Sequence, residues 1–149
     1  MIGNRKKAEA RTVFVDWDDA WVDVNNKVRW INGRKRFLWL SEKDGWQHLY
    51  SVSRNSGEAL LLTPGEYDVE SLAGVDEANG WAYFIASPDN PTRRFLFLTP
   101  LNGSGKVRRI IPPVQKGVHA YNISPDGRWA FHTYSSFGTP PVIELVSLP

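Results

Sequence analysis

The chain has 149 residues, 42% of them hydrophobic, and a formal net charge of +2. That is enough apolar material for one domain with a core. The basic residues gather only weakly, at 5–7, 34–36 and 106–109, beside turns and strand ends where they read as solvated edges, so a continuous nucleic-acid-binding face is excluded. The chain has no cysteine, which removes disulfide frameworks and thiolate metal sites. No run approaches the ~20 apolar residues of a membrane span. Residues 1–10 carry basic residues with no apolar stretch behind them, so they do not read as a signal peptide.

Seven Trp, seven Phe and five Tyr, with ten Pro and twelve Gly spaced between apolar runs, predict an all-β protein, because aromatics favour strands and Gly and Pro punctuate turns. In chain order, residues 1–11 are polar and read as a disordered or incomplete segment. Residues 12–15 (Thr-Val-Phe-Val) read as a short strand and 16–19 (Asp-Trp-Asp-Asp) as an acidic turn. The alternation at 21–24 predicts an edge strand, and 25–27 a turn.

Three units follow, over 28–63, 69–111 and 119–149. The first holds predicted strands at 28–31, 36–40, 48–52 and 59–63. The second holds strands at 69–72, 81–85, 94–98 and 107–111, and the third at 119–123, 129–133 and 142–146. Phe37, Ala82 and Ala130 are 45 and 48 positions apart, and Leu49, Phe95 and Val142 are 46 and 47 apart. Such a period fits four-stranded blades of a β-propeller. Asn32-Gly33, Asn79-Gly80 and Asp126-Gly127 precede the second strand of each unit and predict type I′ hairpin turns. The expected fold is therefore a partial β-propeller of about three four-stranded antiparallel blades over residues 12–149. The third blade stops about one strand short. A closed propeller takes about four to eight blades, so this chain reads as part of a larger protein.

Three segments resemble one family in order and spacing. The first is 41–50 (Ser-Glu-Lys-Asp-Gly-Trp-Gln-His-Leu-Tyr). The second is 62–69 (Leu-Thr-Pro-Gly-Glu-Tyr-Asp-Val) followed by 74–84. The third is 119–129 (His-Ala-Tyr-Asn-Ile-Ser-Pro-Asp-Gly-Arg-Trp), running on to 139–141 (Thr-Pro-Pro). Together they are similar to the propeller of the dipeptidyl peptidase IV family, in its bacterial branch, over about 21–149. The resemblance implies the C-terminal part of an eight-bladed N-terminal propeller, followed in the family by an α/β-hydrolase domain that removes N-terminal dipeptides. It implies the remaining blades, the hydrolase domain and a peptide substrate as partners, no cofactor, and relatives that are often exported or membrane-anchored. A propeller loop near 21–27 reaches the family's substrate pocket, which makes Trp21, Asp23 and Asn25 the candidate substrate-proximal residues. Packing between blades accounts for the aromatics there equally well.

No Gly-x-Ser-x-Gly pentad and no adjacent Glu pair occur in the sequence, so neither a nucleophile elbow nor the family's clamp on the substrate amine is expected in this chain, which is predicted to be inactive alone. The other candidates read as structural. His48 stands mid-strand with no acid at useful spacing, and in the family braces a blade turn. His119 and His132 fall on successive strands and could approach, but two His without a third ligand make a poor zinc site. Asp16, Asp18, Asp19 and Asp23 lack the Gly of a calcium loop and read as a solvated connection. Ser135 and Ser136 have no base in reach and read as a turn. Trp39, Trp81 and Trp129 recur on the second strands and read as blade-to-blade packing. The alternative to a peptidase propeller is a non-catalytic interaction module whose ring is completed by self-association into a homo-oligomer.

Overall fold

The computed structural model describes residues 10–17, 27–89, 93–110 and 117–149. These residues form no helix. They form three antiparallel sheets laid face to face in chain order. The first sheet holds β1 (Arg29–Ile31), β2 (Arg36–Ser41), β3 (His48–Ser53) and β4 (Ala59–Leu61). The second holds β5 (Val69–Asp76), β6 (Trp81–Ala86), β7 (Phe95–Pro100) and β8 (Arg108–Arg109). The third holds β9 (Val118–Ile123), β10 (Trp129–Ser136) and β11 (Thr139–Ser147). Each sheet is a meander of neighbouring strands, as short connections dictate.

Alternation decides which residues meet between sheets. Leu38, Leu49, Leu62 and Ile31 of the first sheet pack against Val75 and Ala82 of the second. Phe84, Ala86, Phe95, Phe97 and Val69 form a neighbouring cluster that Leu40 joins from the first sheet and Tyr67 from the connection between β4 and β5. On the opposite face of the second sheet, Tyr83, Ile85, Leu96 and Leu98 receive Tyr121, Ile123 and Leu148 from the third. The second sheet is thus covered on both faces, which explains why its central strands β6 and β7 are almost continuously apolar and buried. One polar tie crosses each of the two boundaries. Thr99 Oγ1 donates to the Leu62 carbonyl at 2.6 Å, and Tyr83 Oη to the Gly127 carbonyl at 3.3 Å.

The pairing register refines the repeat. Trp39 faces Tyr50, Phe84 faces Phe97 and His132 faces Glu144. The second strands therefore repeat at 45 and 48 positions and the third strands at an even 47. The spacing read from Leu49, Phe95 and Val142 does not join equivalent residues. By register the equivalents of Leu49 are Leu96 and Ile143.

The turns depart from expectation. At the β1–β2 hairpin three successive residues have positive φ: Asn32 at 51°, Gly33 at 60° and Arg34 at 65°. The 3.1 Å bond from Lys35 N–H to the Asn32 carbonyl makes Gly33 and Arg34 the central pair of a type I′ turn, one position beyond Asn-Gly. In the other two turns only the glycine is left-handed, Gly80 at 76° and Gly127 at 69°. These loops, 77–80 and 124–128, are two and three residues longer than a two-residue hairpin. They turn through right-handed residues and use glycine only to rejoin the strand.

Residues 12–15 are not a strand. Val13 and Phe14 pack on the outer-face cluster of Phe37, Tyr50 and Val52, so the segment lies across a sheet face, where no ladder can form. Trp39, Trp81 and Trp129 do not share a role either. Trp39 meets Phe14 and Phe37 edge-on, at 6.4 Å in each case. Trp81 lies with the cluster facing the third sheet. Trp129 is half exposed. The predicted edge strand at 21–24 and the last residue of the predicted 107–111 strand lie outside the described residues. Ser135 and Ser136 are the last residues of β10, paired with Val118 and Thr139, and not the turn itself.

Candidate functional site

The described residues hold two polar constellations, and each arises from strand alternation. The first surrounds the β2–β3 turn. Asp16 accepts from Trp39 Nε1 at 2.8 Å and from Ser41 Oγ at 2.6 Å. It therefore ties residues 10–17 to β2 and is not a solvated acid. Asp44 lies four residues before His48, and His48 Nδ1 donates to its carboxylate at 2.9 Å. Sequence reading missed this acid, because in the β2–β3 turn the chain doubles back at Gly45, whose φ is 95°.

Burial opposes the charge on Asp44, but hydrogen bonds from His48 and Tyr50 outweigh it and hold the carboxyl below its ordinary range. Tyr50 is pushed up by burial and then by that same carboxylate. Lys43 Nζ stands 4.1 Å from the Tyr50 ring centroid, a cation–π contact. On the far side of His48, Nε2 is buried without a hydrogen-bond partner among the described residues, as is the Tyr67 hydroxyl. Their rings meet edge-on at 5.9 Å, and burial alone pushes the Tyr67 phenol up to about 12. Among the described residues no serine or threonine hydroxyl is hydrogen-bonded to the Asp44–His48 pair. Its neighbours Gln47, which exchanges bonds with Val69, and Leu49, whose N–H reaches Thr63 Oγ1, fasten the first sheet to the start of the second. The pair holds a turn in place.

The second constellation spans the third sheet. The approach of His119 and His132 read as an option from the sequence is realised: His119 Nδ1 and His132 Nε2 are 2.8 Å apart, both residues buried. His132 Nδ1 lies 2.8 Å from Glu144 Oε1. Tyr121 stacks on His132 at 4.5 Å between centroids. The signal for Glu144 was available in the alternation of β11, where it lies opposite His132. It was missed because β11 was not placed in register. Among the described residues no group of three or more His, Cys, Asp or Glu converges as a metal centre would require.

The predicted substrate-proximal residues Trp21, Asp23 and Asn25 lie outside the described residues, as do Asp18 and Asp19. Ser135 and Ser136 have no base beside them among the described hydrogen bonds. Among the described residues no helix is long and apolar enough to cross a membrane.

The third sheet also exposes one whole face. Val118, Trp129, Phe131, Ile143 and Leu145 are all exposed. Register puts Phe131 opposite Leu145, Thr133 opposite Ile143 and Ser135 opposite Val118, so these side chains share the face turned away from the second sheet. An apolar sheet face of this extent marks an interface.

Comparison with known proteins places this architecture. Residues 2–141 match the family described as the dipeptidyl peptidase IV (DPP IV) N-terminal region. A probable dipeptidyl peptidase 4 of Emericella nidulans is 27% identical over 169 aligned positions, which cover 97% of this chain and 21% of the relative. A probable dipeptidyl-aminopeptidase B of Coccidioides posadasii is 26% identical over 136 positions, covering 85% of this chain and 15% of the relative. The crystal structure of Porphyromonas gingivalis dipeptidyl peptidase 4 superposes with a TM-score of 0.69 at 28% identity, over 80% of this chain and 16% of that one. The chain thus spans about a fifth or less of the length of these relatives. With three stacked antiparallel sheets and a family match over nearly its whole length, this chain belongs to the dipeptidyl peptidase IV N-terminal region family.

Proposed function

We propose that this chain is a set of propeller blades from a dipeptidyl peptidase IV-like serine exopeptidase, which gates and positions peptides for a hydrolase domain carrying the catalytic triad elsewhere. Residues 12–149 supply the blades, over about 28–63, 69–111 and 119–149. Residues 1–11 lead into them. Trp21, Asp23 and Asn25 are the residues proposed to meet the substrate. The chain itself supplies no nucleophile and acts through the remaining blades and the hydrolase.

The exposed apolar face of the third sheet carries this reading. The equivalent face of the second sheet, with Tyr83, Ile85, Leu96 and Leu98, is sealed by the third sheet. A further blade of the same polypeptide would seal Phe131, Ile143 and Leu145 in the same way. If so, Phe131→Asp costs about 2–4 kcal/mol of unfolding free energy in the whole enzyme, where a charge is forced into an apolar contact. In the 149-residue chain alone the same change stays within about 0.5 kcal/mol. Paired denaturant titrations read the difference. Equal effects in both would remove the covering blade and with it the reading.

A further inference from the structure

The three sheets do not end level. In the first, pairing of the second and third strands runs two places past Trp39–Tyr50 and stops at Ser41–His48. In the second it runs two places past Phe84–Phe97 and stops at Ala86–Phe95. In the third it passes the matching pair, Tyr134–Val142, and continues across a bulge to Ser136–Thr139. A direct tie between sheets gives the same level. Ser135 pairs with Val118, and Val118 bridges Arg94, the residue before Phe95. The β10–β11 hairpin therefore carries its ladder two residues of β10 past the ends of the other two, about 7 Å at a rise of about 3.3 Å per residue. Phe137 caps this extension between Ser136 and Gly138 and is fully exposed.

The arm is built to stay extended. At its root the Tyr134 ring stacks on His119 and His132, at 5.9 and 5.5 Å between centroids. Gly117 presses on its flank, where a Cβ would collide with the Ser135 carbonyl oxygen. Pro140 and Pro141 stiffen the returning strand. A lone exposed phenylalanine needs no explanation. One held on a braced arm does, because the arm fixes the position of the ring before any partner arrives. A preorganised aromatic loses little freedom when it docks.

Its position selects the partner. Blades cover sheet faces, and the face with Phe131, Ile143 and Leu145 is the surface for the next one. Phe137 stands past the ends of the other two ladders, so a blade of matching height does not cover it. No strand is added beside the projecting part either, because Pro140 and Pro141 offer a neighbour no N–H. What meets Phe137 lies over the rim. We propose that Phe137 is an anchor for the hydrolase domain of the same polypeptide, with its ring seated in an apolar recess of that domain. This rests on the reading of the chain as peptidase blades. A ring of blades that gates a hydrolase stands end-on to it, because its passage runs along the axis from rim to rim. Half-exposed Trp46, in the β2–β3 turn at the same rim, adds a second aromatic to the surface.

The test uses the whole polypeptide. With p-benzoylphenylalanine in place of Phe137, irradiation is expected to cross-link the rim to the hydrolase domain, read by mass spectrometry of the joined peptides. The same group in place of Asn102, in the β7–β8 turn at the opposite rim, is expected to give no hydrolase adduct. Adducts from position 137 to another blade, adducts between two copies, or none at all would overturn the proposal. Cleavage of glycyl-prolyl 4-nitroanilide by the same preparation keeps the two readings apart. An active polypeptide without a hydrolase adduct refutes the anchor alone, and a polypeptide without a hydrolase domain refutes both. Should the variant fail to fold, hydroxyl-radical footprinting of the wild type decides. Phe137 is expected to be oxidised at least about fivefold more slowly in the folded polypeptide than in urea, as a ring in a desolvated recess is. Equal rates would overturn the anchor.

Discussion

Truncating Phe84 to alanine is expected to lower the unfolding free energy by about 3–5 kcal/mol. Phe84 is 0% exposed and stacks on Phe97 within the cluster that also holds Val69, Ala86 and Phe95. Leu40 of the first sheet and Tyr67 of the β4–β5 connection pack against that cluster. The change removes a large buried ring and leaves a cavity between two rigid sheets, which relax little because each is fixed by its own ladder. Loss of the ring pair adds about 0.5–1.5 kcal/mol to the transfer cost, which favours the upper part of the range. Urea titration measures the effect. A loss below about 1 kcal/mol would mean that Phe84 does not lie between the sheets.

Gly127→Ala is expected to cost about 2–4 kcal/mol, from left-handed backbone strain of about 1–3 kcal/mol and forced displacement of its neighbour. Gly127 has a φ of 69°, and an added Cβ would fall 2.6 Å from Asp76 Cβ. Asp76 cannot retreat freely. It is buried, and its carboxylate accepts from the Asn79 backbone at 3.0 Å and from Asn79 Nδ2 at 2.7 Å. The Gly127 carbonyl also accepts from Tyr83 Oη. The β9–β10 turn is therefore seated on the β5–β6 turn, and one methyl group disturbs both. By contrast, Gly80→Ala meets no atom within 4 Å and should show the backbone strain alone. Thermal unfolding of the two variants side by side separates strain from crowding, and equal shifts would contradict the close approach.

Much of the fold was legible because most strands are short runs rich in apolar residues, set between turn residues. All eleven strands overlap runs that alternation and β-propensity identify in the order found, β8 being the two-residue core of a longer predicted run. Face assignment was not legible. The recurring tryptophans looked equivalent, yet Trp39 and Trp129 lie on opposite faces of their sheets, because a one-residue offset within a strand reverses a side chain. Turn geometry was misread at Asn79-Gly80 and Asp126-Gly127, because the dipeptide reports a glycine in the left-handed region but not the length of the loop around it. The hydrogen-bonded lines were the least legible. Asp44–His48 depends on a turn, and His119–His132–Glu144 depends on the register of three strands, so neither leaves a contiguous motif.

Among the described residues the polar constellations Asp16–Trp39–Ser41, Asp44–His48 and His119–His132–Glu144 lie across turns or between strands, where they fix sheet geometry. That distribution fits a scaffold whose chemistry is supplied by another domain, as the proposed role requires. It also explains why residue types associated with catalysis are present without a nucleophile beside them.

The most direct test is cleavage of glycyl-prolyl 4-nitroanilide by two purified proteins, the 149-residue chain and the whole polypeptide encoded by the reading frame that contains it. The account predicts no release from the chain alone and turnover by the whole polypeptide, abolished by a serine-directed inhibitor. Inhibitor-sensitive cleavage by the 149-residue chain, or a whole polypeptide that folds and cleaves nothing, would contradict it.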